Sequence, residues 1–292
     1  MATESGPRPI VACVDGSTCA RHAVRWATAE AVRRGVPLRL VHTLQPPSVD
    51  PRRHPTSIGE YLHGLGLRCV WEAAATVHRT APTLEVDIQV RLGEPSTELL
   101  AESHSARLIV AGARGLGGFS GLRLGSTALA LATAAHCPVV IVRKQPLDTG
   151  PVVVGVTGSP LSDAALGHAF DQAAARAETL IALHAWHPLP FDVDAAAAMG
   201  IGWADVDAEQ HHTLARWVSG WQQRYPQVRV TRMIATKRAA RSLLDQARIA
   251  QLLVVGCHGR SPLTGLVLGA APRALLHQAA CPVMVVRAGH GG

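Results

Sequence analysis

The fold prediction rests on one glycine-rich stretch, Gly112-Ala113-Arg114-Gly115-Leu116-Gly117-Gly118-Phe119-Ser120-Gly121-Leu122-Arg123-Leu124-Gly125-Ser126-Thr127. It follows an apolar run at residues 108–111 that predicts a buried strand, and it precedes a segment that predicts a helix over about 125–136. Glycines let a backbone approach a ligand closely, and the first N–H groups of a helix attract anions. The stretch therefore predicts an anion-binding loop, although a ligand-free surface loop also fits this stretch alone.

Two common phosphate motifs do not fit the stretch. A P-loop ends in Gly-Lys-Ser or Gly-Lys-Thr, and this loop contains no lysine. A dinucleotide fingerprint needs Gly-x-Gly-x-x-Gly after the first strand, but here Ser120 stands where the third glycine belongs. Both motifs are excluded.

The spacing Gly112-x2-Gly115-x9-Gly125-Ser126 resembles the ATP-binding signature of the universal stress protein family. Residues 11–17, 38–43 and 136–143 are similar to the first, second and last strands of that family. The resemblance implies an α/β, flavodoxin-like (adenine nucleotide α-hydrolase-like) domain, whose five parallel strands have the order 3-2-1-4-5 with helices on both faces. In such sheets ligands bind where the strand order reverses, here between strands one and four. Asp15 and the glycine loop follow those two strands and so predict the same crevice.

Alternating apolar and helical patterns predict the other elements of the first half. Ser17 or Thr18 is predicted to cap a first helix that ends near Arg34, and Trp71 is expected on the inner face of the second helix. The predicted strands are residues 9–14, 38–43, 84–92, 108–111 and 139–143, and the later helices are 58–79, 95–104 and 125–136.

The second half of the chain repeats the first. Gly256 and Cys281 stand 144 residues after Gly112 and Cys137 in matching contexts, and His184 stands 142 residues after His42. We therefore predict two tandem domains, residues 1–146 and 147–292, which together account for the chain.

The resemblance implies a ligand role for seven residues of the first domain. Asp15 would accept hydrogen bonds from ribose hydroxyls or the adenine amine, and the main chain of Thr43, just past strand two, would read the adenine edge. The structural alternative for Asp15 is a turn former or a helix cap. Gly112 would leave room for the ribose. The phosphate donors would be the N–H groups of Gly115, Gly125, Ser126 and Thr127, with the Ser126 hydroxyl in addition. The implied cofactor is ATP, with Mg²⁺ held through its phosphates, and no residue is predicted as a metal ligand.

The second domain keeps the glycines of the motif but loses polar side chains. Gly256, Gly259 and Gly269 retain the spacing, whereas Thr157 replaces the acidic residue and Ala270 replaces the serine. Pro272 is compatible with the first turn of a helix. The predicted difference therefore lies in side chains alone, and this half is either a weaker ATP site or a pseudo-site kept for packing.

Composition narrows the functional classes. The opening segment has no features of a signal peptide, and no apolar run is long enough to cross a bilayer, which predicts a cytoplasmic protein without membrane contact. The net charge of +7 comes from scattered arginines, which argues against nucleic-acid binding. Aromatic residues make up 4% of the chain, so the cores should be aliphatic. The six cysteines lack Cys-x-x-Cys spacing and are expected to be reduced, buried thiols.

The favoured interpretation is a cytoplasmic, ATP-binding stress-response and regulatory protein, whose nucleotide state is read by an unknown protein partner. No catalytic constellation is evident, so ATP hydrolysis should be slow and incidental at most. One alternative is a nucleotide-independent interaction protein of the same fold. Another is an enzyme of the adenine nucleotide α-hydrolase type, although residues 15–18 lack the Ser-Gly-Gly-type loop of such enzymes. Because the last strands at 139–143 and 283–287 should lie at sheet edges, we also expect an internal pseudo-dimer, with a homodimer as a further option.

Overall fold

The structure is a computed structural model. It describes residues 6–45, 57–115, 124–186, 203–257, 260–261, 265–266 and 268–287. The chain divides into two compact units, Met1–Pro146 with Gly259–Val267, and Leu147–His258 with Leu268–Gly292.

The first unit is a parallel α/β domain. Its strands have the order β3-β2-β1-β4-β5, which confirms the predicted order 3-2-1-4-5. Helix α1 packs with α2 and α3 packs with α4, as expected for two helical layers. The elements are β1 (Ile10–Cys13), α1 (Thr18–Arg34), β2 (Leu38–Leu44), α2 (Ser57–Thr80), β3 (Val86–Leu92), α3 (Pro95–Glu102), β4 (Leu108–Gly112), α4 (Ser126–Ala134) and β5 (Val139–Val142).

The second unit repeats this architecture and confirms the tandem repeat. Its strands have the order β12-β9-β6-β7-β8, all parallel, which is the same arrangement of first to fifth strands. Between the strands of this unit in chain order, Arg260–Ser261 (β10) and Gly265–Leu266 (β11) form a short antiparallel pair, which groups with the first unit. The other elements are β6 (Val152–Gly155), α5 (Pro160–Arg176), β7 (Leu180–Ala185), α6 (Trp203–Arg224), β8 (Val230–Ala235), α7 (Ala239–Gln246), β9 (Leu252–Gly256), α8 (Ala270–Gln278) and β12 (Val283–Val286).

The first helix of each unit begins with a serine cap. Ser17 precedes α1 and its hydroxyl accepts the N–H of Ala20, while Ser159 precedes α5 and accepts the N–H of Ser162. Gly35 ends α1 in the left-handed conformation at φ 60°, which suits glycine. Among the described residues, no helix is both long and apolar enough to cross a membrane.

The prediction for Trp71 is wrong, because its side chain is 61% exposed. Helix α2 instead buries Val70, Ala74 and Val77, which recur at helical spacing and lie against the sheet. Trp71 follows Val70 directly, so it is rotated by about 100° away from that face. Strand β2 runs to Leu44, one residue further than predicted, so Thr43 lies inside the strand and is not beyond its end.

The buried core is mainly aliphatic, as the composition predicts. The second unit departs from this pattern, because Phe170 is fully buried and stacks against Trp221 and Tyr225. Trp217, which like Trp221 belongs to α6, covers Gly158, where an added Cβ would collide with the indole. The two units therefore share a backbone plan but fill one of their helical layers differently.

None of the six cysteines forms a disulfide, as expected. Three are buried, as predicted, whereas Cys13, Cys69 and Cys137 are only partly buried. Burial raises the pKa of Cys137 and of Cys281 to about 12. Burial also raises the pKa of Cys13, which is further raised by the nearby carboxylate of Asp15. A protonated thiol is a poor nucleophile, so these three cysteines behave as packing residues.

Candidate functional site

Asp15 follows β1 in a tight turn at the carboxyl end of the sheet. Its Oδ1 atom accepts the N–H of Ser17 at 2.9 Å, and Gly16 between them takes φ 82°. Asp15 therefore forms a turn, which is the alternative role predicted for this residue from the sequence. One carboxylate oxygen, Oδ2, remains outside this turn.

That second oxygen faces the glycine-rich loop. An ideal Cβ at Gly115 would lie 2.6 Å from Oδ2 of Asp15, so a side chain at this position would displace the carboxylate. The hydroxyl of Ser17 donates to the carbonyl of Arg114 at 3.1 Å and ties the two loops together. The structure thus brings the loops after β1 and β4 to one crevice, as predicted. Sequence reasoning assigned Ser17 only a helix-capping role and missed this second bond, for which the sequence gives no local signal.

Gly112, at the end of β4, packs against helix α1. An added Cβ would lie 2.8 Å from the backbone of Cys19 and from the backbone nitrogen of Ala20. Close approach of helix to strand therefore already requires glycine at this position. The predicted place of Gly112 beside a ribose stays a prediction.

Helix α4 presents its amino terminus to the same crevice. Gly125 is the N-cap, it has no side-chain capping bond, and its own N–H donates to the carbonyl of Ala113 at 2.9 Å. The prediction that Gly125 is a phosphate donor is thus wrong for this N–H, which is already used. The next three N–H groups lie in the first turn, where no helical carbonyl can accept them. They belong to Ser126, Thr127 and Ala128. Ala128 was not predicted as a donor from the sequence, because its N–H is free only if Gly125 is the residue that caps the helix.

Thr43 lies beside the end of β1. The N–H of Val14 donates to the carbonyl of Val41, so Val41 faces β1. Main-chain groups alternate sides along a strand, so those of Thr43 face the same way, past the last paired residue of β1, Cys13. This direction is compatible with the predicted contact of the Thr43 main chain with adenine.

A histidine supports the crevice in each unit. Nδ1 of His42 donates to the carbonyl of Val14 at 2.7 Å, and Nδ1 of His184 donates to the carbonyl of Val156 at 2.8 Å. Because a carbonyl only accepts, Nδ1 of each ring carries a proton. These histidines fix the ends of β1 and β6, which agrees with a supporting role rather than that of a base.

Two arginines supply positive charge near the first crevice. Arg114 follows β4 and Arg143 follows β5; burial lowers the pKa of Arg143, and the charge of Arg114 lowers it further. The thiol of Cys19 donates to the carbonyl of Arg143 at 3.3 Å, which fixes that segment beside α1. Two guanidinium groups at neighbouring strand ends favour an anionic ligand. Residues 116–123 of the loop lie outside the described residues.

The second unit contains an open crevice at the equivalent place. It is a cavity of about 270 Å³ between the ends of β6, β7 and β9 and the first turns of α5, α7 and α8. Thr157 and Ala270 line it where the first unit has Asp15 and Ser126. Gly256 again serves packing, since an added Cβ would lie 2.7 Å from Cγ of Leu161. Gly259 lies outside the described residues.

The first turn of α8 has lost a backbone donor as well. Gly269 is the N-cap, so Ala270, Ala271 and Pro272 occupy the first three helical positions. Proline has no N–H, whereas Ala128 supplies one at the matching position of α4. The prediction that the two sites differ only in side chains is therefore wrong.

Comparison with known sequences decides the family. The sequence model of the universal stress protein family matches residues 7–143 and again residues 149–287. The chain belongs to the universal stress protein family. It is 34% identical over 288 residues to universal stress protein Rv2005c of Mycobacterium tuberculosis, covering 95% of this chain and 96% of that relative. It is 36% identical over 301 residues to a universal stress protein of Mycolicibacterium smegmatis, covering 98% of each.

The fold of this universal stress protein also has a solved counterpart. The crystal structure of a universal stress protein from Archaeoglobus fulgidus superposes with a TM-score of 0.70 over 97% of this chain and 99% of that chain. The two sequences are 16% identical, so the likeness establishes the fold and not the ligand.

Proposed function

We propose that this universal stress protein binds ATP in the crevice of its first unit and acts as a nucleotide-dependent stress-response regulator. The observation that carries the proposal is the contact between Asp15 and Gly115, which unites an acidic side chain with the glycine loop. A carboxylate beside a glycine backbone offers an acceptor for sugar hydroxyls and space for phosphates in one crevice.

The phosphate end would be held by helix α4. The N–H groups of Ser126, Thr127 and Ala128 are directed out of its first turn, and the helix dipole favours an anion there. The exposed hydroxyl of Ser126 would add a donor. Arg114 and Arg143 contribute favourable charge, and Mg²⁺ would be held through the phosphates.

The nucleoside end would lie between β1 and β2. Oδ2 of Asp15 would accept hydrogen bonds from the ribose hydroxyls, because Oδ1 is committed to Ser17. The main chain of Thr43 would bind the adenine edge. His42 keeps the end of β1 in place by its bond to Val14 and does not itself contact the nucleotide.

The proposed role is regulatory rather than catalytic. The chain has two lysines, Lys144 and Lys237, and neither belongs to the glycine-rich loop. Asp15 is already used in its turn and would bind sugar rather than activate water. We therefore expect ATP to act as a bound signal that is hydrolysed slowly at most.

The test is calorimetric titration of the full chain with ATP and Mg²⁺, using Gly115→Val. The new side chain would displace Asp15 and fill the phosphate space, so affinity for ATP should fall by roughly 100-fold or more. The matched control is Gly220→Val, because a Cβ at Gly220 meets nothing within 4 Å.

Equal ATP affinity in the Gly115→Val variant and the native protein would exclude this crevice as the binding site. An absence of binding to the native protein would favour the alternative, a nucleotide-independent interaction protein. Circular dichroism of both variants separates loss of the site from loss of the fold.

A further inference from the structure

The crevice of the second unit has the character of an apolar pocket. Among the residues that the structure describes, sixteen line its volume of about 270 Å³, and none of these sixteen is ionisable. Three lining residues carry hydroxyl groups, and the others are aliphatic residues, glycine or proline. A pocket of this kind favours a ligand that loses little by leaving water.

The apolar wall results from several replacements relative to the first unit. Leu161 stands in place of Cys19, Ala185 in place of Thr43, and Ala271 in place of Thr127. Together with Thr157 and Ala270, these replacements remove one carboxylate and four hydroxyl or thiol groups and add the hydroxyl of Thr157. Leu183 near the end of β7 and Leu243 within α7 complete the wall.

The remaining hydroxyls are committed to the protein. Thr157 and Ser159 share a hydrogen bond of 3.0 Å between their side-chain oxygens. Ser159 also accepts the N–H of Ser162, whose hydroxyl accepts the N–H of Thr157 at 3.0 Å. These bonds join the three hydroxyls in one local network, which lowers but does not remove the polarity that they give the pocket.

A polyphosphate would find a poor site in this pocket. The first turn of α8 offers the N–H groups of Ala270 and Ala271, but Pro272 offers none. No acidic group stands ready for a ribose, since Thr157 replaces Asp15. The same features leave the pocket well suited to a neutral guest, because apolar cavities bind apolar molecules.

We infer that the second unit binds a small, uncharged, mainly apolar ligand in the crevice that corresponds to the nucleotide site of the first unit. The two crevices then serve different ligand classes on one chain, with a nucleotide in the first and an apolar molecule in the second. This inference depends on the pocket of the second unit alone and stands whether or not the first unit binds ATP.

The test uses prodan, a neutral naphthalene dye whose emission shifts to shorter wavelength in apolar surroundings. Titration of the full-length protein should give saturable, blue-shifted emission. Ala185→Phe places a ring in the pocket and should raise the dissociation constant by about tenfold or more. The matched control is Ala208→Phe, the same change at an exposed position of α6, which should bind the dye like the native protein.

A second variant tests the pocket without adding a bulky side chain that could disturb the fold. Thr157→Asp with Ala270→Ser introduces charge and polarity at nearly constant volume, and it should also weaken dye binding. ATP at concentrations that saturate the first unit should leave the dye in place. Native-like dye binding in both pocket variants, equal loss in the Ala208→Phe control, or competitive displacement by ATP would each overturn the proposal.

Discussion

The two crevices show how one backbone can carry opposite surface chemistry. In the first unit, Asp15 lies against Gly115 and three N–H groups leave the first turn of α4. In the second, Thr157 takes the place of the carboxylate, and Pro272 removes one of the three donors. The strand order and the serine cap of the first helix are the same in both. The polarity of the crevice is therefore set by a few wall residues, while the strand order stays the same.

The difference extends into the layer behind the crevice. Glu102 of α3 is 7% exposed, and it accepts hydrogen bonds from Arg39 at 3.0 Å and from Arg91 at 2.7 Å. Burial lowers the pKa of Arg39, but its bonds with Asp87 and Glu102 raise it above its usual value overall. Gln246 stands at the matching place of α7 in the second unit. The first unit thus has an ionic framework where the second has an uncharged side chain.

The largest expected effect comes from breaking this framework. Glu102→Ala would leave Arg39 and Arg91 without their shared carboxylate and should lower the free energy of unfolding by about 2–4 kcal/mol. We place the effect below that of a fully buried pair because the Arg91 side chain is 41% exposed. Urea denaturation followed by circular dichroism measures it.

The control for Glu102 is the matching change in the other unit, Gln246→Ala, which should cost about 0.5 kcal/mol or less. Equal destabilisation by the two substitutions would contradict the view that the ionic framework distinguishes the units.

An exchange of crevice residues should have an intermediate effect. Asp15→Thr with Ser126→Ala should lower ATP affinity of the first unit by about 1–3 kcal/mol, because two hydrogen-bonding groups are lost. The reverse pair, Thr157→Asp with Ala270→Ser, should strengthen nucleotide binding in the second unit. Adding Pro272→Ala should strengthen it further, since an N–H returns to the first turn of α8. Calorimetry with ATP and Mg²⁺ measures both series.

Equal occupancy of the two crevices of the native protein at limiting ATP would contradict the expected difference in affinity between them. That result would mean that neither the wall side chains nor Pro272 determine affinity. Ala128→Pro provides the complementary control, because it removes the matching N–H from α4 and should weaken the first site alone.

The smallest expected effect concerns the caps of α3 and α7. Glu94 caps α3 by accepting the N–H of Thr97, whereas Arg238 at the start of α7 forms no side-chain capping bond. Hydrogen bonds, first from the Ser96 hydroxyl and then from Thr97, outweigh burial and lower the pKa of Glu94. Glu94→Ala should therefore cost about 0.5–1 kcal/mol at neutral pH.

The pH dependence of this cap has a defined sign. Because the pKa of Glu94 is lower in the folded state, its contribution is present above the unfolded value of about 4.3 and is lost as the pH falls through the folded value. Denaturation of the native protein and the variant should converge in acid. Arg238→Ala removes no capping bond, so its difference in stability from the native protein should not change over this pH range. A destabilisation by Glu94→Ala that persisted in acid would contradict the capping role.

Local patterns in the sequence were sufficient for the architecture. Apolar runs and serine caps predict most strands and helices, since both depend on neighbours within one or two turns. The repeat of Gly112 as Gly256 predicts the tandem domains, and the glycine spacing predicts the crevice. The spacing of side chains along a helix was harder to interpret: Trp71 is a large apolar residue, but the narrow inner face of α2 was already filled by Val70 and Ala74.

The sequence by itself determined the strands, the helices and the repeat, because these follow from periodicity and chain order. The strand order and the place of the crevice followed from the resemblance of the glycine spacing to a known family. Only the tertiary structure decided which groups are free to bind. The N–H of Gly125 is used by Ala113, and Gly112 is required by the packing of α1 on β4. Oδ1 of Asp15 is used in its own turn, so that Oδ2 alone faces Gly115, and Leu161 and Leu183 both line the second crevice. Such contacts depend on how distant segments pack, and no local pattern in a single sequence specifies them.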